Sequence, residues 1–227
     1  MLRYAAGRSH QPALAVGNSL GGCLALRLAE RQGARLAGVV AVAPAGLQMS
    51  RLLFLVQRDP VLRTLLSLPA PVPSAVLRAA VARLYLQLAF GSPRSIDRGV
   101  ISAFTSHHRD RATVAGYLET ARRLIGELRD PYMLERIEVP VLLVWGDRDR
   151  LVFHQGAERV LQEVPGARLE LLRGVGHCPQ VEAPERVARL VLDFPETASG
   201  IRASSAIRSA TCSASRATPA KRAEPHV

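Results

Sequence analysis

Lysine is almost missing from this chain: of 30 basic residues only Lys221 is lysine, and the other 29 are arginine. Such a skew matches GC-rich codon choice. The body charges are scattered rather than blocked, which weakens what a net charge of +11 would otherwise imply about nucleic acid. Aromatic residues are also scarce, at 4% of the chain, so the stacking platforms that grip single-stranded bases are not expected. Cys23, Cys178 and Cys212 are too few and too scattered for a disulfide framework or a metal cluster, and none forms a C-x-x-C pair. Reduced thiols and no bound metal are the expectation. Long apolar runs are absent too. The longest uncharged stretch, Gln11 to Leu26, is broken by Gly17, Gly21 and Gly22 and falls short of the roughly 18–20 apolar residues a transmembrane helix needs. The opening "MLRYAAGRSHQ" lacks the unbroken apolar core of a secretory signal. A cytoplasmic location is therefore expected.

What is present is a core-forming chain. At 227 residues and 48% hydrophobic, it can build one substantial domain with appendages. Pro12 to Val16 reads as a short buried strand. Leu20, Leu24 and Leu28 recur every four residues and predict a helix from Leu20 to Gln32 with that leucine face buried, ended by Gly33. "GVVAVAP", Gly38 to Pro44, is continuously apolar, as a parallel strand covered on both faces should be. Strand, helix, strand is the βαβ pattern.

From Gly46 to about Arg129 the pattern changes to amphipathic helical stretches punctuated by Pro60, Pro69, Pro71, Pro73 and Pro93, with no convincing strand. This region reads as a helical insertion over 46–129. Alternation then resumes, with a strand over Val139 to Gly146, a helix near Gln155 to Glu163, a strand over Ala167 to Leu172 and a last helix over Pro184 to Phe194. Segments 1–45 and 130–197 together form the α/β core of this reading. Residues 198–227 are rich in Ser, Ala, Arg and Thr, carry five basic residues against Glu224, and show no sustained period; a disordered basic tail is expected there.

The chemistry centres on Gly17-Asn18-Ser19-Leu20-Gly21, lying between the first strand and the first helix. A serine at such a turn can project its hydroxyl above the sheet, provided that the backbone tolerates strain and the flanking positions carry no side chain to collide with nearby backbone; both glycines are read in that role. The alternative is a polar residue in an ordinary turn. Phosphate binding fits worse, because the spacing is not G-x-G-x-x-G and no Lys-Ser/Thr follows. No cofactor is expected.

This strand, Gly-x-Ser-x-Gly turn and helix resemble the nucleophile elbow of the α/β-hydrolase superfamily, whose chain order is Ser, then acid, then His. "VLLVWGDRDRLV" resembles the segment that carries the acid, and "LLRGVGHCPQVEAPERV" the segment that carries the histidine. The resemblance implies an α/β fold with a parallel sheet, helices on both faces and a helical cap over 46–129. It also implies Ser19 as nucleophile, His177 as base, Asp149 as the acid that orients it, and the backbone N–H of Leu20 as an oxyanion donor. The family's G-x-x-D spacing selects Asp149, counted from Gly146. On chemistry alone Asp147 stays open, since both aspartates lie in the turn and either can cap the next helix. His107, His108 and His154 have no flanking motif and read as surface or cap-lining residues. Asn18, where many relatives carry His, resembles hydrolases of carbon–carbon bonds and pheophytinase-like esterases.

The implied substrate is a small to medium apolar molecule with an ester, thioester or activated carbon–carbon bond. The resemblance covers Pro12 to about Phe194, the second half of such a hydrolase, without the upstream strands or the loop that supplies a second oxyanion donor. Two alternatives to an active hydrolase follow: an impaired fragment or remnant, which would self-associate through its exposed first strand, and a binding protein that uses its basic tail.

Overall fold

The fold is that of a computed structural model, which describes residues 12–50 apart from 32 and 34, 74–105, several helical positions between 113 and 128, and 132–194. His107, His108, the tail from Ala198 and much of the expected cap lie outside the described residues. Four strands, β1 (Ala13–Asn18), β2 (Leu36–Val42), β3 (Val141–Gly146) and β4 (Arg168–Leu172), form one sheet in the order β1-β2-β3-β4. All three pairings are parallel. Helices α1 (Leu20–Ala29), α2 (Ser74–Ala89), α3 (Arg98–Thr105), α4 (Ala157–Glu163) and α5 (Pro179–Glu182) follow in chain order, and α6 covers 184–194.

The expected strands are present, with ends moved by two residues at most. β3 starts at Val141 because Pro140 has no N–H to give the ladder; its carbonyl still accepts from Val39 at 2.9 Å. Alternation along the strands explains why they read as continuous apolar runs. Val39 and Ala41 of β2, with Val141, Leu143 and Trp145 of β3, face a core shared with α1 and α4. Val40, Val42, Leu142, Val144 and Leu172 face the opposite core, closed by Val187 and Phe194 of α6. Both faces are covered, so neither register position can be polar.

One expectation fails on α1. Its buried residues are Gly22, Cys23, Ala25, Leu26 and Ala29, and Leu24 is 61% exposed. The leucine spacing therefore marks the packed face only in part, since Leu28 packs partly buried against the core while Leu24 faces solvent. Small residues together with the fully buried Leu26 make up that face: a Cβ on Gly22 would lie 3.1 Å from both Pro44 and the Gly17 carbonyl, so this side lets α1 lie close against the sheet.

Candidate active site

The sequence-predicted residues gather at the carboxyl ends of β1 and β3 and in the loop after β4. Ser19 follows directly on β1 and caps α1 with φ 54° and ψ −113°, a left-handed backbone that a non-glycine residue adopts only at a cost. Three main-chain bonds hold it there. Its N–H donates to Val42 O at 2.9 Å, and its carbonyl accepts from Cys23 at 2.9 Å and Ala45 at 3.0 Å. Ala45 is held in turn, because its carbonyl accepts from the Tyr132 hydroxyl. Burial, reinforced by the neighbouring Cys23 side chain, pushes the Tyr132 phenol well above its ordinary pKa and keeps it a donor.

The two elbow glycines are not equivalent. A Cβ on Gly17 would sit 2.2 Å from the Gly21 carbonyl oxygen, so Gly17 is required by close approach. A Cβ on Gly21 would meet nothing within 4 Å, which corrects the expectation that both flanking positions forbid a side chain. The second crowded position is Gly22, under Pro44.

Asp149 and His177 are in direct contact. Both are buried, and His177 Nδ1 lies 2.7 Å from Asp149 Oδ2. The carboxylate is saturated on its other side: Oδ1 accepts from the N–H groups of Leu151 and Val152, each at 2.9 Å, while Trp145 Nε1 donates to Oδ2 at 3.2 Å. A carboxylate oxygen only accepts, so the proton sits on Nδ1 and a neutral ring keeps its lone pair on Nε2. Asp147 faces elsewhere. Its Oδ1 accepts from Gly174 N–H at 2.7 Å and braces the loop rather than the imidazole.

The main chain of His177 is fixed from two sides. Its N–H donates to Ala89 O at 2.7 Å, at the end of α2, and its carbonyl accepts from Asn18 Nδ2 at 3.0 Å. The same Asn18 nitrogen donates to Val42 O at 3.2 Å. The residue before Ser19 thus ties the Ser19 turn to the histidine loop, a role its neighbours in sequence do not announce. Between Ser19 Oγ and the His177 ring the structure has no hydrogen bond. Leu20 opens α1, where first-turn N–H groups have no intrahelical partner. His154 lies in a short 3₁₀ turn, His154–Gly156.

Several contacts around this pair carry no sequence signal. Arg150 donates to Gln87 O at 2.7 Å. Gly91, Gly146 and Gly176 bring three backbones together: a Cβ on Gly146 would lie 2.2 Å from Val175 O, and one on Gly176 would lie 2.5 Å from Ala89 O. Among the described residues no group of His, Cys, Asp and Glu is arranged to hold a metal ion.

The chain is similar to known proteins in both sequence and fold. The profile of the alpha/beta hydrolase family matches residues 2–190. Human monoacylglycerol lipase ABHD6 is 26% identical over 186 residues, which cover 79% of this chain and 53% of the lipase. A 2-hydroxy-6-oxononadienedioate/2-hydroxy-6-oxononatrienedioate hydrolase of Pseudomonas putida is 41% identical over 61 residues, or 27% of this chain and 21% of that enzyme. Among solved structures, a Burkholderia cenocepacia protein described as "a putative aryl esterase" superposes with a TM-score of 0.61 at 26% identity, covering 84% of this chain and 66% of that protein. The chain spans about half the length of the lipases it matches, 53% for the human protein.

Proposed function

The chain belongs to the alpha/beta hydrolase family, and from that premise we propose that it carries the serine-hydrolase site of a lipase- or esterase-type enzyme. The observation that carries the reading is the buried 2.7 Å contact of His177 Nδ1 with Asp149 Oδ2, tied through Asn18 to the strained turn that holds Ser19. In this reading Asp149 fixes the tautomer that leaves Nε2 basic. As Ser19 Oγ attacks a substrate carbonyl carbon, Nε2 takes the hydroxyl proton and the carbonyl oxygen becomes an oxyanion. The Leu20 N–H, at the positive end of α1, stabilises that charge. The C–O bond to the leaving alcohol breaks, the alcohol takes the proton from Nε2, and an acyl-Ser19 ester remains. Water, deprotonated by Nε2, then releases the acid and restores the serine hydroxyl.

The substrate class is a small to medium apolar ester, thioester or activated carbon–carbon bond, lying under the helical region 46–129 as a cap. The monoacylglycerol lipase and aryl esterase relatives favour the ester over the alternatives. Cys23 and Cys178 are buried and joined in no disulfide, which fits a reducing, cytoplasmic setting, and among the described residues no helix is long and apolar enough to cross a membrane. A fluorophosphonate probe tests the site. Wild-type protein becomes labelled, and Ser19→Ala and His177→Ala do not; labelling retained by Ser19→Ala overturns the assignment.

A second property rests on β1, which among the described strands pairs with β2 alone and leaves Val16 50% exposed. An apolar parallel edge of this kind recruits another strand, and we infer that two copies associate there.

A further inference from the structure

The contacts around Glu182 are not used by the chemistry above, yet they converge on the histidine loop. Glu182 ends α5, five residues beyond His177. One carboxylate oxygen, Oε1, accepts from Gly176 N–H at 2.7 Å. The other, Oε2, accepts from Gly91 N–H at 2.9 Å and from Ser92 N–H at 3.4 Å. The first donor immediately precedes His177. The other two follow Ala89 and Phe90, and Ala89 is the residue whose carbonyl takes the His177 N–H at 2.7 Å.

These bonds close a ring. From Gly176 it passes through the His177 N–H to Ala89 and Gly91, and the Glu182 carboxylate joins its two ends. The two backbones meet with no side chain between them: a Cβ on Gly91 would lie 2.2 Å from Gly174 O, and one on Gly176 would lie 2.5 Å from Gly91 N. Main-chain N–H groups from both segments therefore point at one place, and a carboxylate suits it because both of its oxygens only accept. A glutamine of the same shape has one accepting oxygen, so its NH₂ would face either Gly176 or Gly91 donor to donor.

We propose that Glu182 is a positioning residue for His177, clamping the histidine loop to the residues that follow α2. The proposal rests on the reading of His177 as the base. Glu182 acts through main chain on both sides and leaves the substrate untouched, so its loss lowers kcat and spares KM.

Two measurements on Glu182→Gln test this. In amide hydrogen exchange followed by NMR, Gly91, Gly176 and His177 exchange at least about tenfold faster than in the wild type, the scale of one lost bond to a charged acceptor, and Leu143 and Val144 in β3 keep their rates. In hydrolysis of a p-nitrophenyl ester, kcat falls roughly 10- to 100-fold with KM within about twofold. Unchanged exchange at Gly176 and His177 overturns the clamp, and so does equal loosening of the β3 amides. Glu182→Asp, which keeps the charge on a shorter reach, is read by the same criteria should the glutamine variant not fold, and exchange alone decides where turnover is too slow to measure. Ser19→Ala run beside it separates the two ideas. Labelling retained there refutes the serine-hydrolase reading, whereas its loss together with wild-type behaviour of Glu182→Gln refutes the clamp only.

Discussion

Adding one methyl group at Gly146 should damage both the fold and the site. Gly146 ends β3, and an alanine Cβ there would lie 2.2 Å from Val175 O and 2.3 Å from Gly176 O. An unstrained contact needs about 3.5 Å, so the histidine loop must retreat by roughly 1 Å. It is not free to do so. Val175 O accepts from Arg148 N–H at 2.9 Å, Gly174 is held by Asp147 at 2.7 Å, and His177 N–H is bound to Ala89 O at 2.7 Å. Overpacking costs about 1–3 kcal/mol, and loss of the Arg148 bond adds about 1 kcal/mol. The expected destabilisation of Gly146→Ala is therefore about 2–4 kcal/mol. At about 2–4 °C per kcal/mol for a chain of this size, the melting temperature falls by roughly 5–15 °C. The chemistry suffers separately, since a 1 Å displacement of a reacting group costs on the order of 10²-fold in rate. Circular dichroism during heating measures the first effect, and the fluorophosphonate labelling rate at 20 °C below the variant's own melting temperature measures the second. A variant that melts within about 2 °C of wild type and labels at the wild-type rate would refute the close-approach reasoning.

Asp149→Asn keeps the shape and reverses the tautomer. The N–H groups of Leu151 and Val152 demand an oxygen at the Oδ1 position, so the new NH₂ faces His177, donates to Nδ1 and moves the ring proton to Nε2. We expect kcat to fall by about 10⁴, as in the serine-protease triad, with a folded protein, since Trp145 retains its 3.0 Å bond to Val152 O; more than a tenth of wild-type kcat would contradict this. At the sheet edge, Val16→Lys places a charge on β1, and light scattering should show the 24.5 kDa monomer where the wild type forms a larger species. A monomeric wild type removes the edge proposal.

The strands were legible because both faces of the sheet are covered, so β2 and β3 had to be uninterrupted apolar runs. The contact of Asp149 with His177 was legible through motif and order, although spacing alone left Asp147 open; the turn after β3 resolves them, sending Asp149 inward to the imidazole and Asp147 out to Gly174. The packed face of α1 was misread for a physical reason. Leucine periodicity marks a buried face only where a helix stands off at leucine's distance, and α1 instead lies close through Gly22, Cys23 and Ala25. Glu182 and Asn18 were not legible in their present roles, because each acts on main-chain atoms far along the chain, and backbone acceptors and donors carry no residue signature. Asn18 in particular was read as a mark of substrate class, whereas its amide nitrogen is committed to the carbonyls of Val42 and His177.

The adjacency of β2 and β3 has a consequence for how such proteins can be rebuilt. These strands are immediate neighbours in register, Val39 beside Val141 and Val42 beside Val144, although residues 43–140 separate them in sequence. The entropic cost of closing so long a connection grows only logarithmically with its length, so the sheet is nearly indifferent to how much chain is spliced between those strands. The site is not, because Ala89 to Ser92 supply the carbonyl and the N–H groups that the histidine loop and Glu182 require. A transplanted insertion from another protein would thus be tolerated over a wide range of lengths, provided that Ala43 and Ala45 after β2, Ala89 to Ser92, and Tyr132 to Ile137 before β3 keep their places in the core and beside the site. Swapping the chain between those anchored pieces is the route by which one chemical centre can be fitted with new entrances.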